Sequence, residues 1–213
     1  MQKLEMNMTS KEQFYHILND IKQKHPSLKI RLYKAATLPN GDLGGYMDNK
    51  IMMAIGGKNQ LGQIAWKENI LTLCHEYAHY LRDLKNPKYQ NWIGCLNHYI
   101  EQKQSFADRV QMASYIALDE YTTDTQSVKI LKKYGVKFSK RDFWRNAHSY
   151  ALKIKMSPWT KQYVGENKVP LSFTKSKKIS YKEIFKPLTR SEYCKMLNLL
   201  KNKQLKRIGK KWK

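Results

Sequence analysis

The stretch from Trp66 to Leu84 reads WKENILTLCHEYAHYLRDL. Ile70, Leu73, Tyr77, Tyr80 and Leu81 recur in it at helical intervals. Asn86-Pro87 closes the run, because the residue before a proline is pushed out of the α conformation. The spacing predicts one long helix over residues 66–84. Inside it, His75-Glu76-Tyr77-Ala78-His79 is an HExxH sequence uninterrupted by Gly or Pro. Positions i and i+4 share a helix face, so both imidazoles can reach one ion. Glu76 follows the first histidine and can point toward water held by that ion. Zn²⁺ lowers the pKa of bound water to roughly 7, so a nearby carboxylate can take its proton and later return it to a leaving amine. The pattern therefore predicts zinc-dependent hydrolysis of a peptide bond with Glu76 as general base. Mn²⁺ or Co²⁺ would fit the same ligands.

A catalytic zinc takes three protein ligands and keeps one position open. In metzincins a third histidine follows six residues after the second; here that position is Lys85, which excludes the class. Glu120-Tyr121-Thr122-Thr123-Asp124 lies on a predicted helix, so Glu120 and Asp124 share a face. Glu120 is the leading candidate for the third ligand. Asp124 can accept a hydrogen bond from a liganding histidine and so fix its ring and tautomer. Glu101 and then His98 are the alternatives. Cys74 adjoins His75, but neighbouring helix positions point about 100° apart, so a buried neutral thiol is expected there. Tyr121, His98 and His148 are candidates for stabilising an oxyanion.

Upstream, Thr9 and Glu12 stand at capping-box spacing and open a helix with Phe14, Ile17, Leu18 and Ile21 on one side, ending at His25-Pro26. Leu28 to Ala35 alternates as a strand, and residues 44–55 read as a hairpin turning at Asp48-Asn49-Lys50. That hairpin comes in the right order to offer an edge strand to an extended peptide above the active helix, or simply to cover the core. Downstream, helices are predicted over residues 97–117, 118–134 with Gly135 as its C-terminal glycine, and 143–154. Ser157-Pro158, Pro170 and residues 175–178 read as irregular connection, and Thr189 with Glu192 opens a last helix to about Leu205. The fold class is α+β. A catalytic domain is expected over residues 1–135 and a basic, partly helical extension over 136–213.

HEYAH followed by EYTTD resembles the HExxH…ExxxD arrangement of gluzincin-type zinc metallopeptidases. The run EYTTDTQSVKILKKYG is similar to their third-ligand helix, an acidic motif followed by an apolar stripe and a glycine end. The strand and hairpin ahead of the active helix match the same zincin-like architecture. Small ImmA/IrrE-like and phage- or plasmid-encoded metallopeptidases are the nearest soluble comparison, and the resemblance covers roughly residues 10–135. It implies that His75, His79 and Glu120 bind zinc, that Glu76 is the general base, and that Asp124 supports the ligands. It also implies a protein substrate, which in a regulatory enzyme of this kind can be one repressor-like protein.

The chain has 213 residues, 41% of them hydrophobic, enough to build a core. No apolar run approaches the ~20 residues of a membrane helix, and residues 1–13 hold no apolar stretch of a secretory signal. Three cysteines, Cys74, Cys95 and Cys194, have no CxxC spacing, so a disulfide framework is not expected and the cytoplasm is the simplest compartment. The net charge of +23 is unevenly spread: residues 129–213 carry 25 Lys+Arg against 4 Asp+Glu, residues 1–128 carry 15 against 13. A cationic block of this kind attracts nucleic acid or an acidic partner. Trp159, Tyr163, Phe173, Tyr181 and Phe185 interleave with its lysines, as stacking on bases or packing of a small core would require. The alternative function is therefore nucleic-acid binding with a structural or vestigial metal site.

Overall fold

Helix α1 (Ser10–Lys24) starts at a complete capping box. Thr9 Oγ1 accepts the Glu12 N–H at 3.3 Å, and the Glu12 carboxylate accepts the Thr9 N–H at 2.8 Å. Such a cap stabilises a helix by about 1 kcal/mol. The helix buries Phe14, Ile17, Leu18 and Ile21, the stripe expected from the sequence. The computed structural model describes residues 8–39, 41–86, 105–160, 173–196 and 198. Cys95, His98, Glu101, Tyr163, Pro170 and the expected helical residues 97–104 and 199–205 lie outside the described residues.

A three-stranded sheet follows, β1 (Lys29–Tyr33), β2 (Gly44–Met47) and β3 (Lys50–Ala54), in the order β1-β3-β2. β3 pairs in parallel with β1, Ile30 opposite Ile51 and Leu32 opposite Met53, and antiparallel with β2, Tyr46 opposite Ile51. The hairpin turns where expected. Asp48 and Asn49 both have positive φ, 48° and 60°, which suits a two-residue turn whose twist matches the strands. Asp and Asn tolerate that conformation better than other side-chain-bearing residues. Ile51 and Met53 are buried beneath the sheet.

Helix α2 (Trp66–Lys85) packs on this sheet and on α1. Ile70, Leu73, Cys74, Tyr77, Ala78 and Tyr80 are buried along it. Trp66 meets Phe14 with ring centroids 5.4 Å apart. Asn69 Nδ2 donates to Ile55 O at 3.4 Å, tying the helix to the end of the sheet. His25 stands between two tyrosines of α2, its Nε2 2.9 Å from Tyr77 Oη and its Nδ1 3.2 Å from Tyr80 Oη.

Helix α3 (Phe106–Lys133) is one continuous helix of 28 residues, where the sequence predicts a break between Ala117 and Leu118. The hydroxyls of its polar residues bond back one turn: Ser114 to Val110 O at 3.0 Å, Thr122 to Leu118 O at 2.7 Å and Thr123 to Asp119 O at 3.1 Å. It ends as the glycine predicts. Gly135 has φ 64°, Gly135 N–H bonds Lys132 O, and Val136 N–H bonds Leu131 O, a Schellman arrangement that satisfies the last carbonyls. Just beyond it, Tyr134 donates to Asp20 of α1, and Gln13 Nε2 donates to Tyr134 O at 3.3 Å.

Helix α4 (Lys140–Thr160) runs through Ser157-Pro158, which the sequence reads as irregular connection. Pro158 has no N–H to give to Ile154 O. Ser157 Oγ donates to that carbonyl instead, at 2.7 Å, so the helix loses no acceptor pairing there. Leu152 and Met156 pack with Leu188, Met196, Phe173 and Tyr193. Trp159 stacks on Tyr193 at 5.4 Å, and Tyr115 meets Phe185 edge-on at 4.9 Å. Trp159, Phe173 and Phe185 are thus engaged in packing. The short helix α5 (Tyr181–Phe185) is capped by Ser180, and the Thr189–Glu192 capping box opens helical residues 190–196.

The protein is therefore a mixed α+β chain built as two units. One comprises Met1–Gln90 with Thr125–Lys137, the other Asn91–Asp124 with Phe138–Lys213. No helix among the described residues is long and apolar enough to cross a membrane.

Two buried acceptors pin the segment after residue 172 in the second unit. His148 Nδ1 accepts the Lys175 N–H at 2.9 Å, and Tyr121 Oη accepts the Ile179 N–H at 2.8 Å. Burial, with the Lys155 and Lys175 charges acting the same way, pushes the His148 imidazole down to about 4. An unfolded histidine titrates near ~6.5. Between those values the unfolded chain binds a proton that the folded chain refuses, so stability falls as pH drops through that window. His148→Gln is expected to flatten this part of the pH dependence, read as urea midpoints of both proteins at about pH 7 and about pH 5.

Candidate metal centre

The helical repeat brings His75 and His79 onto one face of α2, with ring centroids 4.8 Å apart and planes at 78°. Their Nε2 atoms face each other at 3.2 Å. At most one proton can sit between two neutral imidazole nitrogens so placed, whereas a cation there takes both lone pairs. Two nitrogens bound to one tetrahedral zinc at about 2.0–2.1 Å stand about 3.3 Å apart. The observed separation matches that edge. Glu120 stands near as a third candidate donor: one atom each from His75, His79 and Glu120 lies within 4.8 Å of the other two. Two imidazoles and a carboxylate are a habitual hydrolytic zinc set, so the donor chemistry fits the metal.

His79 is buried and His75 half-buried, so the pair is held by packing on one side and open on the other. Glu76, between them in sequence, is buried at 7% exposure. Asp124 is also buried, one helical turn past Glu120 on α3. Thr123, between them, is fully buried with its hydroxyl on Asp119 O. The Cys74 thiol has no exposure, and burial pushes its pKa up, so it is a neutral core group as expected.

The other sequence candidates are differently employed. Tyr121 and His148 each accept a backbone N–H of the second unit, at Ile179 and Lys175. His98 and Glu101 fall outside the described residues.

Three residues that position the site were not singled out for it by the sequence. A methyl group built on Gly44 lands 2.6 Å from Thr72 Cγ2 and 3.0 Å from Glu76 Oε1. Only a glycine lets β2 approach the helix this closely at Glu76. Two residues on, Tyr46 Oη donates to Asp83 Oδ2 at 2.6 Å. Asp83 is buried and lies one turn past His79. β2 is thus fastened to α2 at both ends of the histidine pair. The available signals were the Gly44-Gly45 pair at the start of a strand and an acidic residue continuing the i, i+4 series beyond His79.

Ala54 N–H bonds Leu43 O at 2.9 Å, which sets the phase of the β2–β3 ladder. Gly45 and Met47 then turn their backbone groups toward β3, and Gly44 turns its own away from it.

Gly44→Ala is expected to lower stability by about 1–3 kcal/mol, the usual cost of overpacking. Gly45→Ala, with open space around the added methyl, is expected to change it by less than about 0.5 kcal/mol. Chemical denaturation of the two variants beside the wild type checks the contrast.

No family model, curated protein or solved structure matches this chain.

Proposed function

We propose that the protein is a zinc-dependent endopeptidase of the gluzincin type, acting in the cytoplasm on a protein or peptide substrate, with a zincin-like arrangement of the sheet over helix α2. The convergence of His75, His79 and Glu120 donor atoms within 4.8 Å carries this reading. The free thiols of Cys74 and Cys194 suit a reducing compartment.

His75, His79 and Glu120 would hold the ion, and Asp124 would support them. Zinc, when bound, supplies a Lewis acid for the substrate carbonyl and makes water acidic enough to ionise near neutral pH. Glu76 does the proton work. Its carboxylate accepts the proton of the attacking water and delivers it to the amide nitrogen as the C–N bond breaks, so the amine leaves neutral. The close approach of Gly44 restricts where that carboxylate can go, which keeps one base orientation. β2 is the outer strand of the described sheet, and the outward backbone groups of Gly44 can pair with an extended peptide. Strand addition at that edge lays the peptide along α2, with a bond to be cleaved over Glu76.

Purified protein is expected to carry about one zinc per chain by metal analysis. Glu76→Gln should keep the zinc and lose hydrolysis of an unfolded-protein or peptide-library substrate by at least about 10²-fold. His79→Ala should lose the zinc and the activity together. A Glu76→Gln protein as active as the wild type would falsify the mechanism.

A further inference from the structure

We propose that the second unit carries a binding surface for single-stranded nucleic acid between Lys175 and Lys195, which holds the phosphate backbone through exposed lysines. Seven cations lie in this segment: Lys175, Lys177, Lys178, Lys182, Lys186, Arg190 and Lys195. All are exposed. None makes an ion pair with a described residue. The segment holds two acids against these seven cations. The Glu192 carboxylate is committed to its capping box, accepting the Thr189 N–H at 2.8 Å and the Thr189 hydroxyl at 2.9 Å. Glu183 is left as a single exposed negative charge among them.

The backbone fixes where these charges sit. Lys175 and Ile179 are pinned through their N–H groups to His148 and Tyr121, so Ser176, Lys177 and Lys178 bridge two anchored points and face solvent. Lys182 and Lys186 stand one helical turn apart on and just after α5, whose Ile184 is buried on the opposite side. Repulsion among such charges disfavours this arrangement unless a polyanion screens it.

The side-chain chemistry selects the partner. A protein partner is ordinarily anchored by apolar and aromatic side chains at the centre of the interface. Here only Arg190 is an arginine, and Ile179, Ile184, Leu188 and Met196 are all buried, which leaves ammonium point charges suited to phosphate. Tyr181 adds a face for a base. The residue is 44% exposed, and Lys178 Nζ sits 5.3 Å from the ring centroid. An exposed aromatic beside lysines is the platform on which unpaired bases stack.

The test uses the full chain and a labelled single strand of about 20 nucleotides, titrated at several salt concentrations, against a duplex of equal length. The quadruple variant Lys177→Gln, Lys178→Gln, Lys182→Gln, Lys186→Gln should weaken strand binding by at least about tenfold and reduce the salt slope by up to about 3. The same four positions changed to Arg should retain binding, which separates lost charge from lost folding. Tyr181→Ala should weaken the strand more than the duplex. A control quadruple at exposed lysines of the first unit, Lys11, Lys22, Lys29 and Lys58, should leave affinity within about twofold. Equal loss in the control overturns the assignment, as does a duplex bound more tightly than the strand. So does polyglutamate or an anionic vesicle bound as tightly as the strand at the same salt.

Discussion

Two imidazole nitrogens held 3.2 Å apart on one helix face are the constraint around which the first unit is arranged. Side chains one turn apart approach this closely only if the helix stays straight and its rotation is fixed. α2 has no side-chain cap at its N-terminus, so its position comes from packing. Ile70, Leu73, Cys74 and Ala78 are buried, Phe14 and Trp66 meet at its start, and His25 bridges Tyr77 and Tyr80. Burial pushes Tyr77 up to about 12, so that hydroxyl keeps its proton and stays a hydrogen-bonding group at all ordinary pH. β2 then lies against the histidine-bearing stretch at Gly44 and Tyr46. The polar site thus rests on an apolar seat, and two glycine-and-tyrosine contacts bring a sheet edge beside it.

Two helices carry residues of low helix propensity. α3 carries a Ser and two Thr whose hydroxyls return to carbonyls one turn back. α4 accommodates Pro158 because Ser157 supplies the donor that proline lacks. The continuity of α3 has a structural consequence. Glu120 and Asp124 sit in the middle of a long helix rather than near a frayed end, so their carboxylates are held by turns on both sides.

In the second unit, aromatic and polar groups share the work of ordering a lysine-rich chain. Trp159, Phe173, Phe185 and Tyr193 supply apolar contact, and His148 and Tyr121 satisfy two backbone donors inside. With those side chains turned inward, what the segment shows to solvent is mainly ammonium groups and Tyr181. Composition alone could not separate a nucleic-acid stacking surface from a small core, because both interleave aromatics with lysines. The separation came from which rings pack against others, as half-buried Trp159, Phe173 and Phe185 do, and which is exposed, as Tyr181 is.

The sequence by itself determined the elements whose causes are local. The capping boxes at Thr9 and Thr189, the Asp48-Asn49 turn, the Gly135 terminus and the amphipathic stripes of α1 and α2 all depend on residues a few positions apart. Placing His75 and His79 on one face is equally local, since the helical repeat guarantees it. Only the tertiary structure decided what depends on distant residues meeting. It brought Glu120 to the two histidines across 41 positions of chain, ordered the strands β1-β3-β2 with a parallel pair, and set Gly44 against Glu76. It also overrode two local signals, joining the helices expected on either side of Ala117 and carrying α4 past Pro158. At Pro158 the Ser157 hydroxyl filled the backbone bond that proline cannot make, and propensity, which weighs residues singly, does not register that compensation.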